Sequence, residues 1–193
     1  MNDKKADYML LVNGENRLPV GFEEPVELVV ADSATGTQYR VEKKTYEAFL
    51  RLRKDLLDND SLQLELISSY RSIATQESLF QRRLAEFGEE YANKYVAIPG
   101  YSEHHTGFAI DVSFFVDDEV IRGTENLLSV DHLFQIVHKK LPQYGFILRY
   151  PKGKENITKI GYEPWHFRYI DSPQVAKALT DGGLCFEEYH AQA

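Results

Sequence analysis

Apolar positions in this chain change period along its length, and the changes mark the elements. Between Thr45 and Leu57 they fall at 46, 49, 50, 52, 56 and 57, the stripe of an amphipathic helix. Leu79, Phe80, Leu84 and Phe87 repeat that spacing over a helix from about Ala74 to Phe87, which Ser72 caps. A further helical piece covers Glu89–Tyr95, and Asp131–Leu141 is another, ended by Pro142 and Gly145. From Phe108 the period drops to two. Phe108, Ile110 and Val112 share one face of a strand, and Ala109, Asp111 and Ser113 the other. Trp165, Phe167 and Tyr169 alternate with His166 and Arg168 in the same way. Leu62–Ile67 and Phe146–Arg149 also read as strands, and Tyr8–Val12 and Glu27–Ala31 as short ones. Asn13–Pro25, Asp32–Gly36, Asp117–Ser129 and Pro151–Gly161 are polar connections. Ser172-Pro173 opens a helix to about Thr180, Gly182-Gly183 stops it, and a short terminal helix follows. Helices fall early and late, and strands cluster in the middle. The expected class is α+β, a small, mainly antiparallel sheet flanked by helices.

Length refines this into one domain over residues 1–193, large enough for a real core. Its parts are an N-terminal stretch, 1–60, a central core, 62–170, and a helical tail, 172–193. The net charge of −8 excludes the basic stripe of a nucleic-acid surface. Cys185 is the one cysteine, so neither an internal disulfide nor a cysteine-based zinc site is available. No stretch approaches transmembrane length. The apolar run Tyr8–Val12 is too short for the core of an export leader. A cytoplasmic protein is expected, with an exported or anchored one as the alternative if a leader has been lost.

Candidate chemistry gathers on the alternating strands. In Y-S-E-H-H-T-G-F-A-I-D, His104 and Asp111 lie seven residues apart, and Gly107 permits a tight turn between them. Asp111 stands on the face opposite the apolar residues, beside small neighbours. Fifty-five residues on, Y-E-P-W-H-F-R-Y-I carries His166, with Glu163 three residues earlier. On a regular strand those two point apart. A break at Pro164 turns both into one site. Two imidazoles, one carboxylate and a spare glutamate are enough for a catalytic zinc site, with Glu163 as general base. Arg71 follows the Leu62–Ile67 strand, and a planar guanidinium suits a substrate carboxylate or a developing oxyanion. Each motif alone is common: His166 by itself reads as a hydrogen-bonded strand histidine, and Arg71 as a surface arginine. His132, His138 and His190 read as structural or solvated, and Arg149 and Arg168 as a local positive potential for an acidic substrate.

Taken jointly, these residues resemble the VanY/VanXY family of zinc D,D-peptidases. Its pattern S-x-H-x-x-G-x-A-x-D, then E-x-x-H, with Y-R-S upstream, is met by Ser102, His104, Gly107, Ala109, Asp111, Glu163, His166 and Tyr70-Arg71-Ser72. F-I-L-R-Y-P-K-G-K-E-N-I-T, Phe146 to Thr158, is family-like too, so the resemblance runs from about Leu62 to Ile170. It implies a zinc ion on His104, Asp111 and His166, with Glu163 and Arg71 catalytic. It also implies substrate contacts from Arg71, Gln76 and Ser102. The implied activity removes or splits terminal D-Ala from peptidoglycan precursors ending in D-Ala-D-Ala. An L,D-carboxypeptidase on tetrapeptide stems and a non-catalytic zinc-containing binding module are the alternatives. His105 departs from the glutamine that the resemblance implies at this variable position.

Overall fold

The computed structural model describes residues 6–22, 26–117 and 119–192. The expected connections at 13–25 and 117–129 therefore lie partly outside it, at residues 23–25 and 118. In chain order the elements are β1 (Leu28–Asp32), β2 (Gln38–Glu42), α1 (Lys43–Asp60), β3 (Leu64–Ser68), α2 (Ile73–Phe87) and α3 (Glu89–Tyr95). Then follow a 3₁₀ turn (Glu103–Thr106), β4 (Ala109–Val116), β5 (Glu119–Val120), α4 (Thr124–Ser129) and α5 (Asp131–Lys140). The chain continues through β6 (Phe146–Leu148), α6 (Glu155–Thr158), β7 (His166–Tyr169), α7 (Pro173–Asp181) and α8 (Phe186–His190).

The central sheet runs β3-β4-β7-β6, every pair antiparallel, with β5 folded back on the end of β4. β1 and β2 form a separate hairpin. The α+β expectation, with a small antiparallel sheet, holds. Alternation sorts the two faces. Phe108, Ile110, Val112 and Phe114 are fully buried in one core with Leu64, Leu66, Phe146 and Phe167. α1 closes that core with Phe49, Leu52 and Leu56, and α5 with Phe134 and Val137. On the opposite face a smaller core joins Ile147 and Ile170 to Ala176 and Leu179 of α7 and Phe186 of α8. That smaller core covers only the β6 side, which leaves the β4–β7 junction for polar groups.

Several elements depart from expectation. β2, unexpected, pairs with β1, and the Arg40 carbonyl accepts from the Tyr70 amide and the Ser69 hydroxyl. Tyr8–Val12 is not a strand, because the Tyr8 and Leu10 carbonyls are taken by the Arg168 guanidinium at 2.9 and 2.8 Å. The 117–129 connection carries a strand and a helix of its own. Among the described residues no helix is long and apolar enough to cross a membrane.

Candidate metal centre and active site

Register brings the first two groups together. Asp111 of β4 and His166 of β7 are directly paired, so their side chains leave the sheet on one face. A bulge in β3 between Leu66 and Ser68 sets Ser68 on the other side of Asp111. The third group comes from the 3₁₀ turn, which Ser102 caps by accepting from the His104 amide. Gly107 ends that turn at φ 76°, where a side chain would be strained and would press Leu28 at 3.1 Å and Glu42 at 3.3 Å, so the position favours glycine.

The result is a buried knot of donor atoms. One atom each from His104, Asp111 and His166 lie within 4.8 Å of one another. His104 Nδ1 lies 2.7 Å from the Ser69 carbonyl, which fixes its proton there and frees Nε2, 3.3 Å from Asp111 Oδ2. His166 Nδ1 stands 3.0 Å from Asp111 Oδ1 and 3.5 Å from Glu163 Oε2. Asp111 Oδ1, buried, completes no hydrogen bond among the described residues. Two imidazoles and a carboxylate converging on one point, with an unspent acceptor among them, fit a divalent cation of the zinc type.

Glu163 reaches the knot through the break at Pro164. The His166 amide bonds the Glu163 carbonyl at 3.2 Å, closing a turn over Pro164 and Trp165. α5 pins that turn, since His138 Nε2 meets the Pro164 carbonyl at 2.8 Å and Tyr162 donates to Asp131. His138 is thus not on a solvated face but structural.

Arg71 borders the knot. It donates from Nε and Nη2 to Ser68 Oγ, from Nη2 to Asp111 Oδ2 at 2.8 Å, and from Nη1 to Gln76 Oε1 at 3.1 Å. One of its five N–H groups has no partner among the described residues. Gln76 is fully buried, its amide spent on Arg71 and on the Ala97 carbonyl. His105 is spent too, on the Arg71 carbonyl through Nδ1 and on the Gly100 amide through Nε2.

Burial and charge set the protonation states of the cation-free cluster. Desolvation pushes Glu163 up to about 8, with the nearby Asp111 adding to the rise. Desolvation, helped by Arg71, pulls His104 down to about 4. Burial also works against a charged His166, yet its carboxylate neighbours Asp111 and Glu103 push it up to about 9. Burial works against Asp111 likewise, but the two histidines hold it well below the usual carboxylate range. A cation among these atoms favours neutral imidazoles and ionised carboxylates, Glu163 included.

Arg149 and Arg168 overturn an expectation. Both are fully buried and bound to Glu103, so they offer no potential to a substrate. Glu103 itself, a functional candidate the sequence did not single out, lies behind His166. Its partners stand 46 and 65 residues away, so no local spacing could have disclosed it.

Known proteins resemble this chain over most of its length. The family model of VanY, D-alanyl-D-alanine carboxypeptidase, matches residues 38–172. The bifunctional D-Ala-D-Ala dipeptidase and carboxypeptidase VanXYC of Enterococcus gallinarum is 36% identical over 170 residues, covering 87% of this chain and 86% of that one. A D,D-pentapeptidase VanY from a VanB-type resistance cassette, solved with Zn(II), superimposes with a TM-score of 0.76 at 27% identity, covering 94% of this chain and 98% of that one. The LdcB LD-carboxypeptidase superimposes with a TM-score of 0.77 at 35% identity, covering 94% and 84%. The family match spans most of the chain and both motifs, and the chain belongs to the VanY D-alanyl-D-alanine carboxypeptidase family.

Proposed function

We propose that this chain is a zinc-dependent D,D-peptidase that removes or splits terminal D-Ala from peptidoglycan precursors ending in D-Ala-D-Ala. The observation that carries the reading is the Glu163 carboxylate, buried and 3.5 Å from the His166 nitrogen that faces Asp111. Here a proton acceptor lies beside the donor set, where hydrolysis needs it. His104 Nε2, an Asp111 oxygen and His166 Nδ1 would hold the zinc. When bound, zinc supplies Lewis acidity to the scissile carbonyl and acidity to water. Glu163 accepts the proton of the attacking water and returns it to the leaving amine. The Arg71 N–H without a partner among the described residues would offer its charge to the substrate carboxylate or the developing oxyanion. Gln76 and Ser68 hold that guanidinium in place, so the role we give Gln76 is chiefly to aim Arg71. Ser102 holds the turn that presents His104, beside any contact of its own with substrate.

Bonds from Arg168 to the Tyr8 and Leu10 carbonyls, and from Asn13 to Glu187 of α8, support treating residues 1–193 as one peptidase domain. The net charge of −8 repels anionic wall polymers and favours soluble precursors met in the cytoplasm.

The likeness to the LdcB LD-carboxypeptidase favours a second reading, cleavage of tetrapeptide stems. One incubation series separates the two, with D-Ala-D-Ala, a pentapeptide stem ending in it, and a tetrapeptide stem, read by mass spectrometry. D-Ala released from the first two alone supports the D,D reading. Cleavage of the tetrapeptide alone replaces it with the L,D one. No cleavage of any by the zinc-loaded protein leaves a binding module.

A further inference from the structure

Glu103 is 1% exposed. Its Oε1 accepts from Arg149 Nε at 2.9 Å and from Arg168 Nη1 at 2.8 Å. Among the described residues its Oε2 has no hydrogen-bond partner; it stands 3.7 Å from His166 Nε2, which has none there either. A buried acceptor thus faces a buried ring nitrogen, both unspent, a little beyond hydrogen-bond length. The opposite ring nitrogen, Nδ1, is the one aimed at Asp111 and Glu163. A neutral imidazole carries its proton on one nitrogen and offers a lone pair on the other. A metal takes the lone pair, so whatever holds the proton chooses the ligand atom.

We propose that Glu103 is a positioning residue that keeps the His166 ring proton on Nε2 and so dedicates Nδ1 to the metal. The inference rests on the metal-site reading above. The two arginines hold Glu103 for this task. Both crowd onto one carboxylate oxygen, which leaves the other for the ring. Arg149 is fixed from behind by a two-pronged contact with Glu187 of α8, Nη1 to Oε2 at 2.9 Å and Nη2 to Oε1 at 2.7 Å. Asn13 donates to the same Glu187 at 3.0 Å. Arg168 is fixed by the Tyr8 and Leu10 carbonyls. Two cations and two carboxylates balance, so the network has no need of a charged imidazole. Tyr150 closes the ring's flank, 4.8 Å between centroids, and limits its rotation. Through these links the two ends of the chain, both remote from the motifs, brace a metal ligand.

The test uses the whole chain with ¹⁵N-labelled histidine, loaded with ¹¹³Cd and observed by NMR. Cadmium coupling to Nδ1 of His166 and to Nε2 of His104 is expected. Coupling to Nε2 of His166 overturns the role of Glu103 while leaving the metal centre intact. Cadmium bound to neither histidine overturns the centre and this inference with it. Glu103→Gln adds a second readout. Chelator competition should show zinc affinity lower by roughly 10–100-fold, the usual cost of losing such a support. Wild-type affinity in a folded Glu103→Gln protein overturns the proposal, and the wild-type spectrum decides the matter if that variant does not fold.

Discussion

Two clusters of buried charge lie side by side on one face of the sheet, and His166 belongs to both. Behind it, Glu103, Arg149, Arg168 and Glu187 spend most polar atoms on one another, on backbone carbonyls and on Asn13. In front of it, His104, Asp111 and Glu163 converge, and among the described residues Asp111 Oδ1 completes no hydrogen bond. Both clusters are largely buried, so burial is not what marks the site; the convergence of three ligand-type donor atoms is. A buried polar atom without a partner costs roughly 1–3 kcal/mol, and it persists where a ligand supplies the missing bond. Where the rear cluster does leave two atoms unpaired, they face each other across 3.7 Å at the boundary with the front.

This contrast predicts opposite phenotypes. In the front cluster, His104→Ala, Asp111→Ala and His166→Ala should each abolish stoichiometric zinc binding, measured by metal analysis after dialysis. Full occupancy in any one of them removes that residue from the ligand set. Glu163→Gln should keep both zinc and fold, yet lose roughly 10²–10⁴-fold in kcat. Near-normal turnover by the zinc-loaded variant would sink the general-base role. In the rear cluster the damage should appear in stability. Arg168→Met strips one of two cations from Glu103 and frees two backbone carbonyls. Removing one partner of a buried ionic network costs about 3–5 kcal/mol. Denaturant unfolding of the zinc-free protein tests this, and a loss under about 1 kcal/mol would erase the distinction between the clusters.

pH sharpens the comparison further. In the metal-free chain Glu163 is raised to about 8 and His166 to about 9. Both hold a proton in the fold that the unfolded chain releases near 4.5 and 6.5. The stability they contribute is whole below those values and is lost as pH climbs through 8 and 9. His104, held down at about 4, works in the opposite sense, but only below its ordinary 6.5. From pH 7 to 9 the metal-free chain should therefore weaken. Zinc needs its ligands deprotonated, so it stabilises more as pH rises. The difference in Tm with and without zinc should widen from pH 7 to 9, with about 2–4 °C for each kcal/mol in a chain of this size. A difference that narrows contradicts the assignment of these groups.

The same contrast explains what the sequence disclosed. The front cluster was legible because its members ride on local patterns. Alternation from Phe108 put Asp111 opposite the core, and Pro164 broke the strand so that Glu163 and His166 share a side. The sheet class and most helix bounds followed from the same periodicities, α3 at Glu89–Tyr95 among them. The rear cluster was hidden because its bonds join residues up to 160 apart, and nothing in the period of a strand says which arginine is buried. Arg149 and Arg168 alternate like outward residues, and α7 and α8 then cover that face. β2 escaped notice because four of its five residues are polar or aromatic rather than aliphatic, with Val41 alone reaching the main core as an aliphatic.

His105 is where the smallest effect is expected, and it tests whether a departure from the family pattern matters. Its Nδ1 meets the Arg71 carbonyl at 2.7 Å and its Nε2 accepts from the Gly100 amide at 3.0 Å. It ties the 3₁₀ turn to the residue that carries the guanidinium. Glutamine, the residue the resemblance implies here, has an amide that donates to one of these groups and accepts from the other. His105→Gln should therefore change kcat/KM less than about twofold and stability by under about 1 kcal/mol. His105→Leu keeps the bulk but leaves the carbonyl and the amide unpaired, at roughly 1–3 kcal/mol. If Arg71 depends on this tie, His105→Leu also raises KM more than it lowers kcat, since the guanidinium is aimed at the substrate's charge. A large loss in His105→Gln would instead mean that the imidazole itself acts on the substrate, and that glutamine is no equivalent for it here.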